Sequence, residues 1–179
     1  YIYTVAQDNA LVQALNTGGS LTETFNYTVA DATLLIDRAT LTLTINGAND
    51  QPTLSGTLAS ATVSEDTATP LALDTLSIVD PDSAAMSVRL TVSDGTLRAI
   101  SSDPAVTVTG SDTGVVTISA SSAFALGGWL TDNQVLYVTS PNSNGAAATL
   151  SYQLNDGSGF IAAGTPTTIN ANTTNDAPI

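Results

Sequence analysis

The sequence predicts an all-β protein, a sandwich of short strands, and three observations carry that prediction. Met86, Val88, Leu90 and Val92 alternate with Ser87, Arg89, Thr91 and Ser93, the period-two pattern of a strand with one buried face. The same alternation recurs along the whole chain in short runs. Turn dipeptides that tolerate positive φ separate those runs: Asp94-Gly95, Asn144-Gly145 and Asp156-Gly157, each expected to close a hairpin. Several short strands at such spacing stack as two sheets.

Taken in order, the strands begin with "FNYTVAD" (25–31) and the Thr-rich "TLTLTI" (40–45). Residues 86–92 follow, then "AVTVT" (105–109) and "VVTIS" (115–119). The last interrupted pair is "VLYVT" (135–139) and "TLSYQL" (149–154). One helix is expected in "SSAFALGGWL" (121–130), where Phe124, Leu126 and Trp129 would plug one end of the core. Gly127 and Gly128 should keep it to a turn or two. Trp129 and Tyr137 read as core aromatics, and Asp94, Asp112, Asp132 and Asp156 as turn residues.

Composition narrows the function. The chain has 179 residues, 42% hydrophobic and only 11% charged, so its surface is carried by Thr, Ser, Asn and Gly, as in secreted β-rich proteins. Sixteen acidic side chains face three arginines and no lysine, for a net charge of −13. Nucleic acid and anionic membrane are excluded as partners, because phosphate binding needs clustered basic residues. Cations are the natural counterpart. No apolar run approaches the roughly 20 residues of a membrane span. Position 1 already reads as strand with no basic segment before it, so any export signal is expected elsewhere.

Histidine and cysteine are both absent. Nucleophilic triads and ordinary zinc sites are therefore impossible, and disulfides cannot staple the fold. A glycosidase would need two carboxyls roughly 5 to 10 Å apart across an aromatic-lined cleft, and aromatics make up 5% of this chain. The protein reads as non-enzymatic, with a bound metal as the candidate staple.

A phrase repeats. "TLTLTINGANDQP" (40–52) is echoed by "TTINANTTNDAPI" (167–179), placing Asn49-Asp50 opposite Asn175-Asp176 and Pro52 opposite Pro178. Upstream, "FNYTVAD" falls on "LSYQLND", so that Tyr27 faces Tyr152 and Asp31 faces Asp156, with a one-residue gap between the two halves of the match. Each copy is a tyrosine-bearing strand, a turn, a Thr-rich strand and an Asn-Asp-x-Pro exit. The phrase marks the end of a module. Residues 51–179 then hold a complete β-sandwich module, and residues 1–50 hold the C-terminal part of the module before it.

Three acidic groups fall in loops or at the joint: Asn49 with Asp50, Glu65 with Asp66 in "VSEDTATP", and Asp80 with Asp82 in "IVDPDS". Each has a plain reading as a strand end, a solvated loop or a proline turn. The joints, "VSEDTATPLAL", "DPDS", "LTVSDGTL", "VTVTGSDTGVVTIS" and "NSNGAAATLSYQLNDGSG" resemble the cadherin-like, immunoglobulin-type modules of giant bacterial RTX adhesins exported by type I secretion. Residues 1–52 resemble the closing half of the VCBS repeat of the same proteins. Where that repeat often has a glycine-rich turn, this chain has Ala32-Thr33-Leu34-Leu35-Ile36, which argues against a metal role for Asp31.

The resemblance implies tandem immunoglobulin/cadherin-like β-sandwiches forming a rod on the bacterial cell surface, with calcium at or near the joints. It assigns Asn49, Asp50, Glu65, Asp66, Asp80 and Asp82 as metal ligands. Calcium takes about six to eight oxygen ligands, which carboxylates, Asn and carbonyls supply without His or Cys. The expected partners are neighbouring modules of the same polypeptide, the expected role a calcium-stiffened spacer in adhesion or biofilm formation. Two alternatives stand beside it: a calcium-dependent module gripping a surface glycan, and a filament subunit completed by strands of identical subunits.

Overall fold

The computed structural model describes residues 2–83, 85–132, 135–143, 145 and 147–172. The chain divides into two compact units, Tyr1–Asp50 and Gln51–Ile179.

In the first unit a single helical turn, α1 (Ala10–Gln13), is capped by the Asn9 carboxamide, which accepts from the Leu11 N–H at 2.9 Å. Two eleven-residue strands follow, β1 (Ser20–Ala30) and β2 (Ile36–Asn46), antiparallel in unbroken register from Ser20↔Asn46 to Ala30↔Ile36. Asp31 holds the turn between them. Its Oδ1 accepts from the N–H groups of Thr33 (2.8 Å) and Leu35 (3.0 Å) and from the Thr33 hydroxyl (2.7 Å). These bonds, the Thr33 hydroxyl first, favour the ionised form and lower the Asp31 pKa. Asp31 is a turn residue.

The second unit is an all-β sandwich. Its strands are β3 (Thr53–Ser55), β4 (Ala61–Ser64), β5 (Thr69–Pro70), β6 (Ser77–Val79), β7 (Met86–Val92), β8 (Thr96–Ala99), β9 (Val106–Thr109), β10 (Val115–Ala120), β11 (Val135–Val138), β12 (Ala147–Asn155) and β13 (Ile161–Asn172). The large sheet runs β4-β13-β12-β7-β10-β9; β5-β11-β8 and the pair β3-β6 complete the structure. Among the described residues every strand pairing is antiparallel except β13 with β4.

Alternation does the sorting between core and solvent. Along β7, Met86, Val88, Leu90 and Val92 are buried while the residues between them are half-exposed. They meet Val116 and Ile118 of β10, Leu150, Tyr152 and Leu154 of β12, and Leu97, Val135 and Tyr137 of the smaller sheet in one continuous core. At about 25 cal/mol per Å² of apolar surface removed from water, this core is the main stabilising term.

A nine-residue helix, α2 (Ala123–Thr131), closes one side, with the Ser122 hydroxyl accepting from the Ala125 N–H at 3.1 Å. Leu126 and Trp129 are buried as expected, but Phe124 is 91% exposed and Leu130 takes its place. The helix period explains the exchange: positions 126 and 130 share a face, whereas 124 lies two residues round from 126. The helix also runs through Gly127 and Gly128, longer than expected, because its buried face supplies what the glycines lose.

Two turn dipeptides resolve differently. Asp156-Gly157 lies in the β12–β13 hairpin, where Asn155 Oδ1 accepts from the N–H groups of Gly157 (2.8 Å) and Gly159 (2.9 Å). Asp94-Gly95 does not close a hairpin. β7 pairs with β10 and β12 while β8 pairs with β11, so this corner carries the chain from one sheet to the other. Asn144 lies outside the described residues.

The repeat is visible as two hairpins, β1–β2 and β12–β13, each turning on an Asx bond. The second hairpin shifts register by two residues, with Gly164-Thr165-Pro166 standing opposite Ser151 alone. The closing Asn175-Asp176 lies outside the described residues.

Candidate cation-binding residues

The six residues named from the sequence fall in three places. Asn49 and Asp50 end the first unit, both half-buried, with Asn49 Nδ2 donating to the Asp50 carbonyl at 2.9 Å. The other four belong to the second unit.

Glu65 and Asp66 follow β4. Glu65 is only 3% exposed, an unusual state for a glutamate. Asp66 is exposed and sits at φ 59°, a left-handed position that aspartate tolerates better than most residues. Its N–H donates to the Thr139 hydroxyl at 3.4 Å. Asp66 turns the backbone.

Asp80 and Asp82 follow β6 and flank Pro81. Asp80 Oδ1 accepts from the N–H groups of Asp82 (3.2 Å) and Ser83 (3.1 Å), folding the loop back on itself. The turn reading of Asp-Pro-Asp is therefore satisfied by one oxygen alone. The other, Oδ2, is shielded from solvent and accepts no hydrogen bond among the described residues. Burial, and next the adjoining Asp82 carboxyl, push the Asp80 pKa above the usual carboxylate range. Two carboxyls placed this way are relieved by a shared proton or by a cation.

The sign of that shift gives a pH prediction. A carboxylate with a raised native pKa binds its proton more tightly folded than unfolded, so it destabilises the fold as pH climbs from the ordinary value of about 3.9 through the native one. Metal-free protein in EDTA should lose less stability over that rise when it carries Asp80→Asn. Urea unfolding of both proteins across this pH range measures the difference, and parallel curves would remove the carboxyl pair from the account.

The structure does not bring all four residues of the second unit together. Ser83 Oγ reaches the Asp156 carbonyl at 3.5 Å, so the Asp80–Ser83 loop lies by the turn that precedes β13. Glu65 follows Ser64, which pairs with Asn172 at the other end of β13. The twelve residues of β13 separate these positions, on the order of 35 Å at about 3.3 Å per residue. A single calcium sphere, with ligands about 2.4 Å from the ion, cannot span that. Among the described residues no three acidic side chains converge on one point. The sequence could not reveal this, because the strand that separates the two loops comes last in the chain. Ser83 was missed: its hydroxyl, directly after Asp-Pro-Asp, ties the loop down through the Ala85 carbonyl (2.8 Å) and Asp156.

No family model matches the chain, and no curated protein matches it. Among solved structures it is similar to the S-layer protein SbsC, domains 4 and 5, at 13% identity over 93% of this chain and 74% of that one, with a TM-score of 0.29. It is also similar to a chimeric titin Z1Z2-Z1Z2 tandem functionalized with a GRGDS peptide from fibronectin, at 19% identity over 84% of this chain and 63% of that one, with a TM-score of 0.26. The all-β assignment itself rests on the strands and their register. No helix among the described residues is long and apolar enough to cross a membrane.

Proposed function

We propose that the chain is a calcium-stiffened spacer segment of a large secreted bacterial surface adhesin, acting by geometry and not by catalysis. Residues 1–50 would be the closing part of a VCBS-like module and residues 51–179 a complete cadherin-like one. Its partners would be neighbouring modules of the same polypeptide.

The observation that carries this reading is the Asp80 carboxyl: one oxygen spent on the turn, the other buried without a hydrogen bond, and a second carboxyl against it. A buried acceptor left unsatisfied costs about 1 to 3 kcal/mol, and a hard cation would repay it. Asp80 and Asp82 would be the calcium ligands at one end of the module. Glu65 would belong to a separate site at the other. Calcium would supply charge neutralisation there, with no redox or acid-base chemistry. The net charge of −13 and the motif resemblance point the same way.

Thermal and urea unfolding with and without calcium test the reading. Extracellular modules bind calcium with Kd values on the order of 0.1 to 1 mM, so 10 mM calcium should add about 1.4 to 2.7 kcal/mol for each site filled. Asp80→Asn combined with Asp82→Asn should abolish the part of that gain due to this loop and cost nothing in EDTA. Equal losses in both conditions would make the two carboxylates turn residues only.

A further inference from the structure

The outward face of β7 carries a cation that the second unit leaves without an anion. Arg89 stands at the middle of that strand, half-exposed, with Thr117 of β10 and Gln153 of β12 opposite it. The chain has sixteen acidic side chains and three arginines. Among the described residues no carboxylate comes within ion-pair distance of Arg89, whereas Arg98 meets Asp112 at 3.9 Å. The acid of the adjoining turn, Asp156, serves its own loop, its Oδ1 accepting from the Ser158 N–H at 2.8 Å.

The guanidinium is held in place all the same. Its Cζ lies 3.6 Å from the centroid of the Phe160 ring, and Nη1 donates to Gln153 Oε1 at 3.4 Å. Gly157 and Gly159, at φ 109° and 123°, turn the chain back after β12 and so deliver Phe160 to that position. A ring on one face strips water from the group and fixes its plane, and the bond to Gln153 uses one of five donors. The remaining fork suits the two oxygens of a carboxylate.

The surroundings indicate whose carboxylate it is. β7 is paired on both sides, so no backbone edge is open here to an added peptide strand. Val115 aside, the outward neighbours are polar, unlike the apolar centre of a protein interface. One rank away, roughly 7 Å along the strand, the hydroxyls of Ser87 and Ser119 bond at 2.8 Å; one rank the other way Thr91 stands opposite Ser151. Hydroxyls on both sides of a forked cation match a sugar whose own hydroxyls flank a carboxylate. The net charge of −13 opposes a ligand with many negative charges, and a single one is what a single arginine pairs with.

We propose that Arg89, set by Phe160 and Gln153, is the recognition point for a saccharide bearing one carboxylate, laid on the outer face of β10-β7-β12. This goes beyond the spacer reading and needs no calcium.

The test titrates the full chain, in EDTA, with 3′-sialyllactose to about 20 mM, a range that covers the millimolar affinity of one charged contact and a few hydroxyl bonds. In proton–nitrogen NMR spectra the Arg89 Nε–H and the amides of Thr117 and Gln153 should shift. Lactose, which lacks the carboxylated sugar, should bind at least about tenfold more weakly. Arg89→Gln should remove that difference, and Arg98→Gln should leave it intact. Phe160→Leu keeps the arginine but frees its plane, and should weaken sialyllactose about threefold; it carries the test if Arg89→Gln loses the native spectrum. Lactose binding as well as sialyllactose, equal losses at 89 and 98, or an unmoved spectrum at the end of the titration would overturn the proposal. So would a capped Gly-Glu-Gly peptide that gave the same shifts at equal affinity, since any protein carboxylate would then serve.

Discussion

Truncating Leu90 to alanine is expected to lower the unfolding free energy of the second unit by about 3 kcal/mol, with a drop in Tm of roughly 10 °C. Leu90 is fully buried at the middle of β7, a central strand with β12 on one side and β10 on the other. Its cross-strand neighbours are Tyr152 and Val116, both buried and both held by ladders that cannot shift to fill the space. The cost therefore includes the cavity as well as the lost transfer energy. Leu90→Met, which conserves volume, should cost under about 1.5 kcal/mol. Urea unfolding with unchanged m-values is the measurement. A loss below about 1 kcal/mol would mean that the sheets do not close on β7.

Gly95→Ala should cost nearly as much, about 2 to 4 kcal/mol, although it adds one methyl group to a surface corner. Gly95 sits at φ 77°, and a Cβ there would run into the Val138 carbonyl and the Tyr137 ring. The corner is held by its neighbours. Tyr137 donates its hydroxyl to the Asp94 carbonyl at 3.2 Å, Ser140 donates to the Asp94 carboxylate at 2.7 Å, and the Gly95 N–H donates to Ser140 Oγ at 3.2 Å. Relief by backbone rotation would break that set. Gly157→Ala is the control: it also has positive φ, 109°, but open space where a Cβ would go, so strain without collision should cost less. Equal effects at 95 and 157 would show that collision with the second sheet is not the dominant cost.

The same corner shows how far local sequence reaches. Period-two alternation located β7, β10, β11 and β12 because each has one buried face, and burial is what alternation records. Asp94-Gly95 signalled a reversal correctly, yet which sheet receives the strand is decided by the core, and Leu97 is buried only by crossing over. Strands of two or three residues, such as β5 and β3, are too short to alternate and left no trace. The candidate ligands were legible by residue type. Their arrangement was not, because Glu65 and Asp80 are fifteen positions apart in sequence but attached to strands that run to opposite ends of β13. At Asp80 the turn reading accounts for one oxygen, which accepts from Asp82 and Ser83, while the other is shielded from solvent.

The one parallel pairing among the described residues of the second unit has a mechanical meaning. β4 enters near the beginning of this unit and β13 comes last, and they lie side by side from Ala61↔Ile169 to Ser64↔Asn172. Tension applied to the two ends of this unit would draw β4 backward and β13 forward along their shared axis. Their hydrogen bonds would be loaded together, in shear, instead of opening one after another like a zip. Resistance to stretching is a matter of the unfolding rate and not of equilibrium stability. It would come here from a four-residue ladder whose inward side chains, Val63 and Ile169, also belong to the core.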